Sequence, residues 1–363
     1  MKRRIISFLA MVSMILGLLP VVAYAAAPTD VPVKLGSSTL KLTDYDTPVY
    51  TVNYTAQTQD TEGNAFTKWG QTATGADESN YNAKYEWKTG DPGPTLTLRN
   101  FKMDEWNNET GKLEAKKTDG AYTTTGLATT AIAADADAPL TIVIEGDSLI
   151  ETKFGITFKN DTTILSENNA VLTINGYSSC IASNNSAGAD LTVNANLDMT
   201  IATYYNSNYG GAVMHTYQAD LTINGGNIRC KVDNAEAKNI AGISARSSGN
   251  LTINGGNITT ATINSTNAAN ASVFAAGKLT INGGAVTANS VRGVGFYGTE
   301  GIEIHGGTVK AVSQALYGFN AGSSIVMTGG VVESQGSDAF YVIPTLRAGI
   351  GGFAGTSQED ADY

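Results

Sequence analysis

Histidine, cysteine and tryptophan are scarce in this chain, and basic residues are outnumbered by acidic ones. Among 363 residues there are 2 histidines, 2 cysteines and 3 tryptophans, with 23 basic and 33 acidic side chains. Neither His215 nor His305 has a partner at the spacing of a metal site or a catalytic triad. The net charge of −10 argues against nucleic acid or an anionic membrane surface as a partner.

Long apolar runs are missing everywhere except at the start of the chain. A basic Met1–Arg4 precedes an apolar run over 5–22, and Ala23-Tyr24-Ala25 supplies a small-x-small cleavage pattern. This order predicts a signal peptide over 1–25, with an uncleaved membrane anchor as the alternative. Its removal takes three basic residues and deepens the net charge to −13. We therefore expect a secreted or cell-surface protein that does not contact the membrane once the signal is cleaved.

A short repeat dominates the rest of the chain. Its copies begin at the following residues: Leu140, Leu172, Leu191, Leu221, Leu251, Leu279, Ile302 and Ile325. Four of the eight copies read Leu-Thr-Ile-Asn, and from Leu172 on most copies continue through a Gly turn into a second short strand. Apolar residues at the first and third positions are typical of a strand that is buried on one face. Such short strands are stable only when they stack on copies of themselves.

A third short strand precedes each copy, which gives three strands per coil. Its predicted inward residues are Ile156, Ile181, Val213, Ile243, Val273, Phe296, Leu316 and Phe340. The fold class predicted is all-β: a right-handed parallel β-helix of about eight coils with an irregular N-terminal cap. We expect Gly after the fourth position to turn the corner at positive φ. The fourth-position asparagines should hydrogen-bond between coils, at Asn175, Asn194, Asn224, Asn254 and Asn282, with His305 continuing the column.

The extent of the repeat predicts how the chain is divided into segments. The predicted divisions are a signal peptide (1–25), a cap (26–94), the β-helix (95–349) and a C-terminal tail (350–363), after which the chain either ends or continues.

In an exported protein Cys180 and Cys230 would first suggest a disulfide. They fall two coils apart, roughly 10 Å, which exceeds the ~7 Å limit between Cα atoms. We therefore predict two free thiols.

These coils resemble a known family. The stretch from Thr95 to Ser334, including Leu140-Thr-Ile-Val-Ile-Glu-Gly-Asp147, is similar to the glycine-rich "G-L-T-I-x-G-G-x-V" coils of secreted β-helix proteins from Gram-positive anaerobes. These belong to the pectate-lyase-like superfamily and are described as carbohydrate-binding-domain or adhesin-like. The resemblance implies the fold, and for some members polysaccharide binding.

Catalysis is one alternative, because β-helices also host polysaccharide lyases and glycoside hydrolases. The candidate acids are Asp190 and Asp220, each one residue before its Leu and so about 5 Å apart on consecutive rungs. That separation suits a carboxylate pair or a calcium clamp. The opposing interpretation is that both are turn residues, because other residue types fill the same position in other coils.

An aromatic column is the other candidate site. The residues just after the third-strand apolar positions should point outward, and the last four are Phe274, Tyr297, Tyr317 and Tyr341. Such a column either stacks on sugar rings or stabilises the sheet by ring stacking. The function predicted is a non-catalytic, carbohydrate-binding or adhesin-like protein whose partner is a polysaccharide or surface glycan. No cofactor is expected, and calcium has no support. The alternatives are a lyase or hydrolase, and a purely structural module of a larger surface protein.

Overall fold

Parallel β-strands stacked as a solenoid of about seven turns form the body of the protein. The computed structural model describes residues 31–36, 38–59, 65–104, 116–118, 121–123, 130–135, 137–184, 188–201, 212–232, 240–262, 271–336, 338–342, 345–348 and 353–354. All regular structure in these ranges is β-strand, and none of it is a helix that could cross a membrane. The predicted signal peptide and most of the C-terminal tail lie outside the described residues. The predicted fold class is confirmed.

Antiparallel strands form the N-terminal cap, which is more regular than predicted. They are β1 (Val31–Leu35), β2 (Ser38–Leu42), β3 (Val49–Gln59), β4 (Ala65–Thr72) and β5 (Ala83–Glu86). The β1–β2 hairpin and the β3–β4–β5 sheet each pair with the first strands of the solenoid. A solenoid end exposes unpaired backbone and apolar core, and these antiparallel strands cover both. Leu35, Leu40 and Tyr85 from the cap are fully buried against the first coil.

A polar clamp also joins the cap to the first coil. Glu145 accepts hydrogen bonds from Arg99 Nε at 3.0 Å, Arg99 Nη2 at 2.9 Å and the Tyr81 hydroxyl at 2.8 Å. The guanidinium of Arg99 also lies 4.0 Å from the centroid of the Tyr81 ring. Burial and the carboxylate together raise the pKa of Tyr81, and the Arg99 hydrogen bonds lower that of Glu145. The clamp is therefore a charge-assisted, bidentate contact that stabilises the cap on the solenoid.

Three stacks of parallel strands make up the solenoid, one on each side of the coil. Stack one consists of β6 (Thr95–Leu98), β11 (Leu140–Ile144), β13 (Thr162–Ser166), β15 (Leu191–Asn194), β18 (Leu221–Gly225), β21 (Leu251–Ile253), β24 (Lys278–Ile281), β27 (Gly301–Ile304), β30 (Ser324–Met327) and β33 (Thr345–Ala348). Stack two consists of β7 (Lys102–Asp104), the first halves of β12 (Ser148–Phe158) and β14 (Val171–Ser183), β16 (Asn196–Ile201), β19 (Asn227–Val232), β22 (Asn257–Thr262), β25 (Ala285–Ser290), β28 (Thr308–Ser313), β31 (Val331–Gln335) and β34 (Phe353–Ala354). Stack three consists of β10 (Thr130–Ala134), the second halves of β12 and β14, β17 (Ala212–Tyr217), β20 (Ala241–Arg246), β23 (Val273–Ala275), β26 (Phe296–Gly298), β29 (Tyr317–Ala321) and β32 (Asp338–Val342). A separate antiparallel pair, β8 (Lys116–Thr118) and β9 (Ala121–Thr123), lies between β7 and β10 in the chain.

The apolar alternation of the repeat faces a single core, as predicted. In stack one the first and third repeat residues are buried and the intervening Thr is partly exposed, for example at Leu251-Thr252-Ile253. The inward column of stack three reads Ile132, Ile156, Ile181, Met214, Ile243, Val273, Phe296, Phe319 and Phe340. Six of the eight predicted inward residues are confirmed. The other two are wrong, because Met214 takes the position expected for Val213, and Phe319 that expected for Leu316.

One copy of the repeat belongs to a different stack from the others. Leu172 pairs with Ser148 and Leu197 in stack two, whereas Thr162 pairs with both Leu140 and Leu191 in stack one. The assignment of Leu172 to the main repeat is therefore wrong. The stack-one steps on either side of Thr162 become 22 and 29 residues instead of 32 and 19, which are closer to the rest of the series. The error arose because Leu-Thr-Ile-Asn fits any one-sided strand.

Glycine is required at the second position of each Gly-Gly turn, one residue later than predicted. The φ angles of Gly256, Gly284 and Gly307 are 97°, 87° and 85°, values that L-residues rarely adopt. A Cβ on Gly284 would also lie 2.6 Å from the carbonyl oxygen of Gly256 one rung away, and one on Gly307 would lie 2.4 Å from that of Gly284. The same residue type is thus needed at the same corner in successive rungs.

Variation in coil length is concentrated at a different corner, between stacks two and three. β22 ends at Thr262 and β23 begins at Val273, whereas β28 ends at Ser313 and β29 begins at Tyr317. The Gly-Gly corner, by contrast, keeps three residues in each of the four successive coils from β21–β22 to β30–β31, as in 254–256 and 305–307. Insertions are therefore accepted at the corner that leads into the outer face of stack three.

The two cysteines are free, as predicted, and both are fully buried. Cys180 is in β14 and Cys230 in β19, with β16 between them. Burial raises the pKa of the Cys180 thiol to about 12 and raises that of Cys230 as well. Both side chains therefore fill the core as small apolar groups.

Candidate functional site: the outer face of stack three

The outward column of stack three holds most of the predicted aromatic site. It reads Ala133, Thr157, Ala182, His215, Ser244, Phe274, Tyr297, Asn320 and Tyr341. Each residue directly follows an inward core residue, so strand alternation turns its side chain away from the core. Three of the four predicted aromatic residues share this column.

Tyr317 does not occupy the column position predicted for it. Asn320 pairs with Tyr297 on one side and Tyr341 on the other, whereas Tyr317 pairs with Asp338. The prediction took Leu316 as the inward residue, but the turn after Ser313 places Phe319 there instead. Tyr317 nevertheless reaches the same surface from three residues upstream, because its ring stacks on that of Tyr341.

The four predicted aromatic residues form two stacked pairs on the outside of the solenoid. The ring centroids of Phe274 and Tyr297 are 5.6 Å apart with an interplanar angle of 30°, and those of Tyr317 and Tyr341 are 4.4 Å apart at 16°. Phe274 is only 9% exposed, so it is not the open ring that was predicted, whereas Tyr341 is 38% exposed. We call the surface formed by Phe274, Tyr297, Tyr317 and Tyr341 the aromatic face.

Small apolar residues support the aromatic face from the turns beside it. Ala271 and Val294 are buried against Phe274, and Leu316 packs against the same cluster. This cluster is distinct from the main core, which lies on the other side of the strands. Tyr297 and Tyr317 are partly buried, so Tyr341 is the most open ring of the aromatic face.

A second aromatic stack, which the sequence analysis missed, lies inside the solenoid directly behind this face. Phe319 stacks between Phe296 and Phe340, with centroid distances of 4.9 and 5.1 Å and interplanar angles of 7° and 17°. Phe296 and Phe319 are fully buried. The even step of 23 residues from Val273 to Phe296 and on to Phe319 was the signal that could have revealed it.

Polar residues border the aromatic face on its N-terminal side. His215 lies in the outward column, and its buried Nδ1 has no hydrogen-bond partner within the described residues. Burial, followed by the nearby Arg246, lowers the pKa of His215 to about 3. Arg246 donates from Nε to Ser244 Oγ at 3.1 Å. The imidazole is therefore neutral at physiological pH.

Asn320 is a candidate functional residue that the sequence analysis missed. It is 7% exposed, it separates Tyr297 from Tyr341 in the outward column, and its strand neighbour Phe319 points into the core. No hydrogen bond among the described residues involves its side-chain amide. Its amide atoms are not among the fully buried unpaired atoms of the described residues, so they reach the surface of the aromatic face.

The candidate acids Asp190 and Asp220 belong to a structural ladder. Asp190 Oδ1 accepts the backbone N–H of Asp220 at 2.8 Å, and Asp220 Oδ1 accepts that of Asn250 at 2.8 Å. Asp161 does the same for the backbone N–H of Asp190 at 3.0 Å, and Asn250 for that of Lys278 at 2.9 Å. Each side chain thus fixes the start of the next strand, and an amide performs this as well as a carboxylate. The geometry favours the turn interpretation of both acids.

The fourth-position residues form a second ladder, in part as predicted. Asn254 Nδ2 donates to Asn224 Oδ1 at 2.8 Å, and Asn282 Nδ2 donates to Asn254 Oδ1 at 2.7 Å. His305 continues the column, with Nδ1 at 2.8 Å from Thr328 Oγ1. Asn175 is not part of it, because the first half of β14 lies in stack two, where the Asn175 side chain donates to Glu151 at 2.8 Å. Asn194 is displaced by a register shift opposite Gly225.

No protein-family model, curated protein or solved structure matches the chain. Among the described residues, no group of three or more histidine, cysteine and acidic side chains is arranged to hold a metal ion. The aromatic face and its polar border therefore have to be interpreted from their own geometry.

Proposed function

We propose that this chain is an exported, non-catalytic carbohydrate-binding protein and that the aromatic face is its binding surface. The observation that carries the proposal is the concentration of aromatic rings on one outer face, in the stacked pairs Phe274–Tyr297 and Tyr317–Tyr341, with Tyr341 the most open of them. Aromatic rings with a hydroxyl at the outer end offer both apolar contact and hydrogen bonds, which sugars require. The basic and then apolar start of the chain supports export.

The arrangement of the face favours an extended glycan that runs along the solenoid axis. Successive rungs repeat at about 4.8 Å, so the residues from Phe274 to Tyr341 form a continuous strip along that axis. The turns on this side are short in the last coils, which leaves the C-terminal part of the strip accessible. A glycan lying along it would contact the ring edges and hydroxyls of Tyr297 and Tyr317 and the outer side of Tyr341.

The test is affinity electrophoresis of the mature chain in gels containing barley β-glucan, arabinoxylan, galactomannan or polygalacturonate, each with and without calcium. We expect at least one of these polysaccharides to retard the wild-type protein. The combined change Tyr297→Ala, Tyr317→Ala and Tyr341→Ala should abolish that retardation, and Tyr341→Ala alone should weaken it.

The matched control is Tyr54→Ala, because Tyr54 is a 41% exposed tyrosine on the cap, away from the aromatic face. It should leave retardation unchanged. Circular dichroism of each variant shows whether the solenoid is still folded. A folded triple variant that is retarded like the wild type would refute the aromatic face as the site. A wild-type chain that none of the four retards would favour a structural module instead.

A further inference from the structure

Asn320 is a buried polar side chain that the fold does not use. It is 7% exposed, and its amide makes no hydrogen bond among the described residues. Three other asparagines of the solenoid, Asn224, Asn254 and Asn282, are more exposed, yet their amides bond to one another at 2.7–2.8 Å. Among the described residues the only fully buried side-chain N or O atom without a partner is His215 Nδ1, so the amide atoms of Asn320 reach the surface of the aromatic face. An amide that reaches this surface without a partner in the protein can hydrogen-bond to a ligand there.

The register explains why Asn320 has no partner in the protein. An asparagine ladder needs an amide at the same position on the adjacent rung. The neighbours of Asn320 in the column are Tyr297 and Tyr341. Neither an amide nor a charged group is aligned with it on those two rungs. The side-chain amide of Asn320 can therefore hydrogen-bond to a molecule bound on the aromatic face.

We propose that Asn320 is the specificity-determining residue of the aromatic face and recognises two adjacent hydroxyl groups of a sugar. This inference rests on the proposed carbohydrate-binding function. An Asn side chain carries one acceptor oxygen and a donor NH2 group side by side. Two neighbouring hydroxyls match that pair, because one can donate to Oδ1 while the other accepts from Nδ2. The flanking tyrosines contact the apolar part of the same sugar.

The same geometry lets the site distinguish saccharides with a free vicinal diol from those without one. A site with a buried amide favours a group that pairs with both of its atoms and rejects an analogue that leaves one unpaired. The ligand class is thus a saccharide with a free vicinal diol on the unit that lies over Asn320. Periodate cleaves the carbon–carbon bond between two vicinal hydroxyls and turns both carbons into aldehydes, so a treated polysaccharide lacks the diol and has opened rings, although its glycosidic bonds are retained.

The experiment compares Asn320→Leu with the matched control Asn254→Leu, by affinity electrophoresis on the same four polysaccharides and by denaturant unfolding. Leucine is similar in size to asparagine and has no hydrogen-bonding group. We expect Asn320→Leu to lose about 10-fold or more in affinity for the retarding polysaccharide, with an unfolding midpoint equal to or above that of the wild type. Asn254→Leu should keep its affinity and lower the midpoint, because it breaks two ladder bonds.

Periodate treatment of the retarding polysaccharide should reduce wild-type binding at least as much as Asn320→Leu does. The role of Asn320 is refuted if the folded Asn320→Leu variant binds as tightly as the wild type while the triple tyrosine variant does not bind. It is also refuted if the leucine lowers the midpoint as much as at Asn254, since the amide would then be structural. Absence of wild-type binding to all four polysaccharides would overturn the proposed function and this inference together.

Discussion

The outer faces of stack one and stack three have the same backbone repeat but opposite side-chain organisation. On stack one, Asp190, Asp220 and Asn250 bond to the next rung, and the asparagines around Asn254 bond to one another. On stack three, the corresponding outward column changes residue type from rung to rung. The Nδ1 of His215 is buried without a partner among the described residues, and Asn320 stands between two tyrosines rather than between amides. Where the same polar side chain recurs on successive rungs, these side chains hydrogen-bond to one another. Where the residue type changes from rung to rung, polar side chains are left available to hydrogen-bond to another molecule.

The largest effect expected concerns the core directly behind the aromatic face. Phe319→Ala should lower the free energy of unfolding by about 3–5 kcal/mol, because it empties the centre of the inward Phe stack. Tyr341→Ala, on the outer side of the same strand pair, should cost far less because its ring is partly exposed. Urea unfolding of both variants measures the difference. Equal losses would mean that the outer rings stabilise the solenoid as much as the inner ones.

A pH effect should separate the two histidines, which lie on different faces. The pKa of His215 is depressed when folded, so its neutral form stabilises the protein above the ordinary histidine pKa, and that stability is lost as pH falls. Between about pH 6.5 and 5 the loss should reach about 2 kcal/mol. His215→Leu should remove this slope from the unfolding free energy measured across that range. His305→Leu, at the exposed end of the asparagine ladder, should retain it.

The smallest effect tests whether the acids of stack one are structural. Asp220→Ala should lower the free energy of unfolding by about 1 kcal/mol, because it leaves the N–H of Asn250 without its acceptor. Asp220→Asn should cost less, since Asn250 serves Lys278 in the same way. A catalytic acid would behave differently. If the wild type released reducing ends or unsaturated uronates from a polysaccharide and Asp220→Asn abolished that release, the turn interpretation would be wrong.

The sequence was most informative where a strand pattern recurs with Gly-Gly at its end. The alternation in Leu251-Thr252-Ile253 and its relatives predicted the fold class, the common core and most inward residues. It was least informative at the aromatic face, where Leu316 and Phe319 are equally apolar. Only the length of the preceding turn decides which of them enters the core, and so whether Tyr317 or Asn320 stands next to Tyr341.

By itself, the sequence determined that short one-sided strands stack into a parallel solenoid, because copies too short to be stable alone bury their alternating apolar residues by stacking on one another. It also determined that the cysteines are too far apart to bond. Only the tertiary structure decided which stack receives each strand, as with Leu172 and Thr162, and which side chains become neighbours along each face. The physical reason is that all three stacks share one two-residue alternation, so the local pattern is the same for each of them. Register is chosen by turn lengths and by pairing with the next rung.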